Sequence, residues 1–208
     1  MPMKPNEREY RFMVDVECRS GDDDSMIVEG YATTFNEAYE LYSFDRYTVR
    51  ELIAPTAFEQ CDMSDVIMQY DHSGKVLART RNKTLTLTVE KRGLKVRADL
   101  SGTEAARQLY AEIKGGFIDR MSFAFVVGEQ KRETTENSEN GHIDVLRTIT
   151  RIKKLYDVSA VSIPANDGTE ISARAYCDGL IAEAEAERQS ALEIAKRKLA
   201  LKLKLMEV

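Results

Sequence analysis

The sequence predicts a mainly β protein with helices (α+β): an antiparallel closed or nearly closed β-barrel of about seven strands, one internal helix and a long C-terminal helix. Three observations predict it. Apolar residues recur at every second position in several short runs, the period of a half-buried strand. Clusters of Gly, Asp and Asn punctuate those runs as turns do. From Asp178 onward the composition shifts to Ala, Leu, Glu and Lys without Pro, which suits a helix. Many short antiparallel strands leave exposed edges unless the sheet closes, hence the expected barrel.

Tyr10, Phe12, Val14 and Val16 alternate with Arg11, Met13, Asp15 and Glu17 and define the first strand. An acidic turn, Gly21 to Ser25, leads to a second run from Met26 to Phe35, so the pair reads as a hairpin. Residues 36–50 are rich in Tyr and charge, have no clean period, and read as a long loop. A short helix opens near Pro55 or Thr56, since Pro favours the first helical turn. Val66 to Tyr70 is a short strand that ends in the turn-like Asp71-His72-Ser73-Gly74. Leu85, Leu87 and Val89 alternate with threonines, and Leu94, Val96, Ala98 and Leu100 with charges. Glu90-Lys91-Arg92-Gly93 joins them as a hairpin, with Gly93 in the left-handed position.

The internal helix runs from about Thr103 to Lys114, with Ser101 and Glu104 as a capping box and Gly115-Gly116 as its stop. Ala105, Leu109 and Ile113 form its apolar stripe. Met121 to Val127 is a strand, and the polar insert from Glu129 to His142 reads as mobile. Two further runs, about Val145 to Lys153 and Leu155 to Ile163, complete a barrel domain over residues 1–177. Residues 178–208 form a charged helical tail, with Glu183, Glu185 and Glu187 early and Lys196, Arg197, Lys198, Lys202 and Lys204 late, which suits the helix dipole. About thirty helical residues extend roughly 45 Å, too far to fold back on a small barrel.

Among 208 residues, 43% are apolar and 31% charged, enough for a real core. The net charge of −5 argues against a nucleic-acid binder, which would carry a basic excess. No run of 18 apolar residues and no leader pattern is present, so the chain reads as soluble and cytoplasmic, with no membrane partner. Cys18, Cys61 and Cys177 are scattered, and His72 and His142 are the only histidines. Zinc needs about four clustered N or S ligands, so no metal and no cofactor are expected.

The chemistry-bearing residues are few. A serine hydrolase needs a hydroxyl, an imidazole within hydrogen-bond reach and a third group that holds the imidazole's tautomer. His72 stands at the end of a short apolar strand, where a side chain reaches the rim; a solvated turn histidine is the other reading. His142, in the polar insert, reads as surface. Ser122 shares a strand face with Ala124 and Val126, opposite Met121, Phe123 and Phe125, so a substrate carbonyl has room to approach. Taken alone it reads rather as a small strand residue satisfied by backbone or water, and no G-x-S-x-G elbow is present. Asp157 lies in an apolar run, where burying an acid is costly unless it is paired. His72 would supply that pairing; a solvated face, or Lys153 or Lys154, is the alternative. Asp71 adjoins His72, but successive strand residues point to opposite faces.

Taken in order, these segments resemble the prohead (procapsid maturation) serine proteases of tailed bacteriophages, a family related to the herpesvirus assemblin protease. Gly30-Tyr31-Ala32-Thr33-Thr34-Phe35-Asn36 resembles its early strand, and Glu51-Leu52-Ile53-Ala54-Pro55-Thr56-Ala57-Phe58 its Pro-containing block. Tyr70-Asp71-His72 with Leu77-Ala78-Arg79-Thr80 resembles the histidine block, and residues 116–125 the serine block. Residues 155–165 resemble the closing acidic block, and the match spans about residues 8 to 175. Ala124 stands where the family often has Gly.

The resemblance implies a protease domain over residues 1–177, with Ser122 as nucleophile, His72 as base and Asp157 as the orienting acid. It also implies cleavage of the major capsid protein and its scaffold segment inside the assembling procapsid in the host cytoplasm. Self-cleavage and a homodimer are further expectations, and Arg147 or Arg151 is a candidate to polarise the oxyanion site. A non-enzymatic capsid-assembly module on the same fold is the rival reading.

Overall fold

The computed structural model describes residues 8–14, 25–162 and 167–206. In chain order these form strands β1 (Glu9–Val14), β2 (Ile27–Thr34), β3 (Tyr39–Phe44), β4 (Tyr47–Ile53), β5 (Ile67–Tyr70), β6 (Ser73–Arg79), β7 (Leu85–Val89) and β8 (Gly93–Asp99). Helix α1 (Glu104–Lys114), β9 (Arg120–Glu136), β10 (Ile143–Val161) and helix α2 (Asp167–Met206) follow, and a 3-10 turn at Pro55–Phe58 links β4 to β5.

The protein is mainly β with two helices, but the expected closed or nearly closed barrel is not found among the described residues. The strands instead make two sheets. One has seven strands, ordered β1-β9-β10-β4-β3, with β5 paired to β10 and β6 to β5; the other is β2-β8-β7. The cause lies in β10, whose 19 residues are long enough to serve three partners. One edge pairs antiparallel with β9, while the other takes β4 along Ile143–Ile149 and then β5 along Asp157–Ala160, both parallel. A sheet that branches at its central strand divides rather than closes.

The same fact corrects other expectations. The segment read as a long loop forms β3 and much of β4. The insert read as mobile is the outer half of a continuous β9–β10 ribbon. β1 and β2 do not pair as a hairpin: β1 adds to β9 and β2 to β8, and the acidic turn at residues 21–24 lies outside the described residues.

The principal core lies between the two sheets. Val28 and Ala32 of β2, Leu94, Val96 and Ala98 of β8, Phe123 and Phe125 of β9, and Leu155 and Val158 of β10 are all buried there. Helix α1 adds Ala106, Leu109, Tyr110 and Ile113 at helical spacing. Its cap is Thr103, whose Oγ1 accepts from the Ala106 N–H at 3.2 Å, rather than the expected Ser101. Ala106, not Ala105, therefore faces the core. Gly93 is not left-handed; it is needed because a Cβ there would lie 1.9 Å from the Thr33 carbonyl oxygen. A second, smaller core joins α2 (Cys177, Leu180, Ala184) to Tyr47, Val49, Ile143 and Val145.

Register shifts in β10 aim its side chains. Ile149, Ile152, Leu155 and Val158 all enter the core, three residues apart instead of two, because the pairing with β9 slips repeatedly between Ile149 and Asp157. The last slip sets Phe125 opposite Leu155 and Ala124 opposite Asp157, with Tyr156 as the extra residue. Leu155 thus faces the core while Asp157 faces the other way, on the side of Ala124 and Ser122.

Candidate active site

His72 is delivered by a two-residue hairpin. Tyr70 pairs with Ser73, and the two residues between them, Asp71 and His72, have φ of 46° and 53°. Positive φ at both central residues is what a type I′ turn needs, and Gly or Asn usually supplies it. Here an Asp and a His hold the conformation against its cost. Asp71 is secured by Ser162, whose backbone N–H and Oγ donate to its two carboxylate oxygens at 3.0 and 2.9 Å. The Asp71 N–H donates to the Ala160 carbonyl at 3.0 Å. Asp71 is therefore the anchor of the turn.

The turn sets the imidazole over the sheet face carrying Ser122, Ala124, Asp157 and Ser159. Ser122 lies directly opposite Ser159, and Ala124 opposite Asp157. His72 Nε2 lies 2.5 Å from Ser122 Oγ, and its Nδ1 lies 2.5 Å from Asp157 Oδ1. Ser122, His72 and Asp157 are thus brought together, with the imidazole between the other two. Ser159, which sequence reasoning missed, donates from Oγ to the same Asp157 Oδ1 at 2.8 Å. Its i, i+2 spacing from Asp157 was the available signal. Tyr10 of β1 packs edge-on against the imidazole, with ring centroids 4.7 Å apart.

Burial is unequal across the site. Ser122 and Ser159 are 0% exposed and Asp157 3%, while the His72 side chain keeps 14%. A carbonyl must displace a covering group to reach Ser122 Oγ in this conformation.

The other candidates are engaged elsewhere. His142 bonds Thr48 Oγ1 at 3.1 Å near the far end of the β9–β10 ribbon. Arg151 pairs with Glu129 at 2.9 Å. Lys154, offered as a partner for Asp157, pairs instead with Asp62 at 2.9 Å. Arg147 is 2% exposed and contacts Glu51 at 2.6 Å and Glu9 at 2.7 Å. Arg11 completes this buried cluster, meeting Glu51 and Glu9 at 2.5 Å each, and Tyr39 donates to Glu51. Burial alone would raise Glu51, but Arg11 and Arg147 outweigh it and hold the carboxyl down to about 2. The cluster ties β1, and with it Tyr10, to β4 and β10.

Burial pushes the Cys61 thiol up to about 12 and that of Cys177 up to about 11, the opposite of an activated nucleophile. Among the described residues, no group of three His, Cys, Asp or Glu side chains is placed to hold a metal ion. No helix among them is long and apolar enough to cross a membrane.

A hydroxyl, an imidazole and a carboxylate linked in series form the constellation of hydrolases that attack through a serine oxygen. The chain belongs to the caudovirus prohead serine protease family, whose description residues 14–179 match. It is similar to the prohead protease of Enterobacteria phage HK97, at 27% identity over 165 residues. That match covers 77% of this chain and 65% of the relative, so the chain spans about two thirds of the relative's length or slightly less. The bacteriophage T4 capsid assembly protease aligns in structure over 76% of this chain and 100% of its own, with 13% identity and a TM-score of 0.41.

Proposed function

We propose that this chain is a serine endopeptidase of prohead maturation, with Ser122 as nucleophile, His72 as general base and then acid, and Asp157 as the group that holds the imidazole. The observation that carries the reading is the unbroken link from Ser122 Oγ through both His72 nitrogens to Asp157, 2.5 Å at each step.

The chemistry follows from that order. Nδ1–H donates to Asp157, which leaves the Nε2 lone pair facing the serine hydroxyl. As Oγ attacks the peptide carbonyl, its proton moves to Nε2, and the Asp157 carboxylate stabilises the imidazolium. The C–N bond then breaks, and Nε2 returns the proton to the leaving amine. Water attacks the acyl ester by the same route in reverse, which frees the carboxylic acid and restores the hydroxyl. Ser159 keeps Asp157 from rotating away from Nδ1.

The substrates are segments of the major capsid protein and its scaffold inside the assembling procapsid, together with the chain itself. Family membership and the similarity to the HK97 protease support this assignment. A fluorophosphonate, which reacts with activated serines, tests the nucleophile. The expected result is one adduct on Ser122, none on Ser122→Ala, and labelling slowed by about a hundredfold or more in His72→Ala. Labelling of Ser122 that is indifferent to His72 overturns the assignment.

A further inference from the structure

A cavity of about 710 Å³ adjoins the His72 turn, between β6 and helix α1. Leu77, Leu109 and Ile118 line it; Leu109 and Ile118 are only 3% and 5% exposed. Phe117, 82% exposed, also lines it, and its ring packs so closely on Gly115 that a Cβ there would come within 2.8 Å. The β5–β6 pairing opens this space: between the Met68–Ala78 and Tyr70–Ser73 pairs it advances two residues on β5 but five on β6. Gly74 to Leu77 have no ladder partner on β5, and among the described residues β6 pairs with β5 alone.

The cavity borders the turn that carries the candidate base. Tyr70 and Ser73 flank the turn that carries His72, and Ser162, which holds Asp71, lines the cavity as well. Ile118 lies four residues before Ser122 and Ser73 directly follows His72, so the cavity is within a few residues of extended chain from the hydroxyl.

We infer that this cavity is a specificity subsite that takes a large aliphatic or aromatic side chain of an extended peptide substrate, about two to four residues from the bond that is cut. The inference rests on the peptidase reading above. An apolar floor with a few polar groups at its rim (Lys75, Gln108, Glu112) suits one buried side chain and a solvated peptide backbone. A peptide laid beside β6 would also use a strand edge that has no other partner among the described residues.

The test profiles cleavage of a peptide library from a denatured proteome by the full chain, by Ala105→Phe, which fills the cavity from α1, and by Phe117→Ala, which strips its exposed lip. The expected wild-type profile is enriched in Leu, Ile, Met or Phe at one position near the cut. Ala105→Phe should lower kcat/KM about tenfold for peptides with that large residue, and hardly at all for those with Ala there. Phe117→Ala should weaken the same preference. Fluorophosphonate labelling of Ser122 in all three proteins separates a lost subsite from a lost nucleophile. If the wild type cuts no peptide, capture of the library on immobilised Ser122→Ala, with and without Ala105→Phe, decides the matter by the same enrichment. No apolar enrichment, or enrichment unchanged in Ala105→Phe, overturns the inference.

Discussion

Ser159 donates a hydrogen bond to the Asp157 oxygen that also holds His72 Nδ1, at 2.8 Å and 2.5 Å respectively. Two donors on one oxygen fix the carboxylate plane. Ser159 does so from a fully buried position, where no water can take its place. Ser159 acts through Asp157, so on the proposed mechanism it is a positioning residue.

Ser159→Ala should therefore lower kcat about tenfold while changing KM less than about twofold, because a hydrogen bond to a charged group is worth about 1.5–3 kcal/mol. Ser159→Thr, which keeps the hydroxyl, should recover most of the loss. Steady-state kinetics on both variants check this, and equal losses in the two would mean that packing, not the hydrogen bond, was disturbed.

Glu51 sets an acid limit on stability. Its carboxyl sits at about 2 in the folded protein and near 4.5 unfolded, so its stabilisation is fully present above about pH 4.5 and fades as pH falls toward 2. Over that window wild type should lose roughly 3 kcal/mol from this group. Glu51→Gln leaves Glu9 as the one carboxylate facing both buried guanidiniums, Arg11 and Arg147, and should cost about 3 kcal/mol at pH 7. The gap between variant and wild type should narrow at pH 3, as read by urea midpoints at each pH.

Two glycines give a paired test of the small sheet. Gly93→Ala pushes a methyl group into the Thr33 carbonyl and should destabilise by about 3 kcal/mol or more, whereas Gly102→Ala has open space and should change stability by less than about 1 kcal/mol. Equal midpoints for the two would contradict the close approach of β2 and β8.

The α1 cap is testable in the same way. Thr103→Ala should cost about 1 kcal/mol, Thr103→Ser very little, and Ser101→Ala less than Thr103→Ala.

Local signals in the sequence narrow the candidates without selecting them. Alternation sets Ser122 on the small-residue face, His72 is one of two histidines, and Asp157 sits in an apolar run, but it is the resemblance of the ordered blocks to a known family that picks out the three. What was not legible depends on distant pairing. Nothing local says that β10 will take β4 and β5 side by side on one edge, and that arrangement is why the sheet branches where a barrel was expected. Alternation also places Leu155 and Asp157 on one face; only the bulge at Tyr156 turns the acid toward Ser122. The polar residues 129–142 lack the apolar signature of a strand because α2 meets their part of the ribbon partly through ion pairs, such as Arg132 with Glu183 and Glu187.

The most direct test follows the intact mass of the full chain and of Ser122→Ala over time, each with cognate capsid protein carrying its scaffold segment. The account predicts that wild type produces discrete fragments of the capsid protein, and of itself, while Ser122→Ala leaves both whole. Identical fragments from the two proteins, or none from wild type even within assembled proheads, would contradict it.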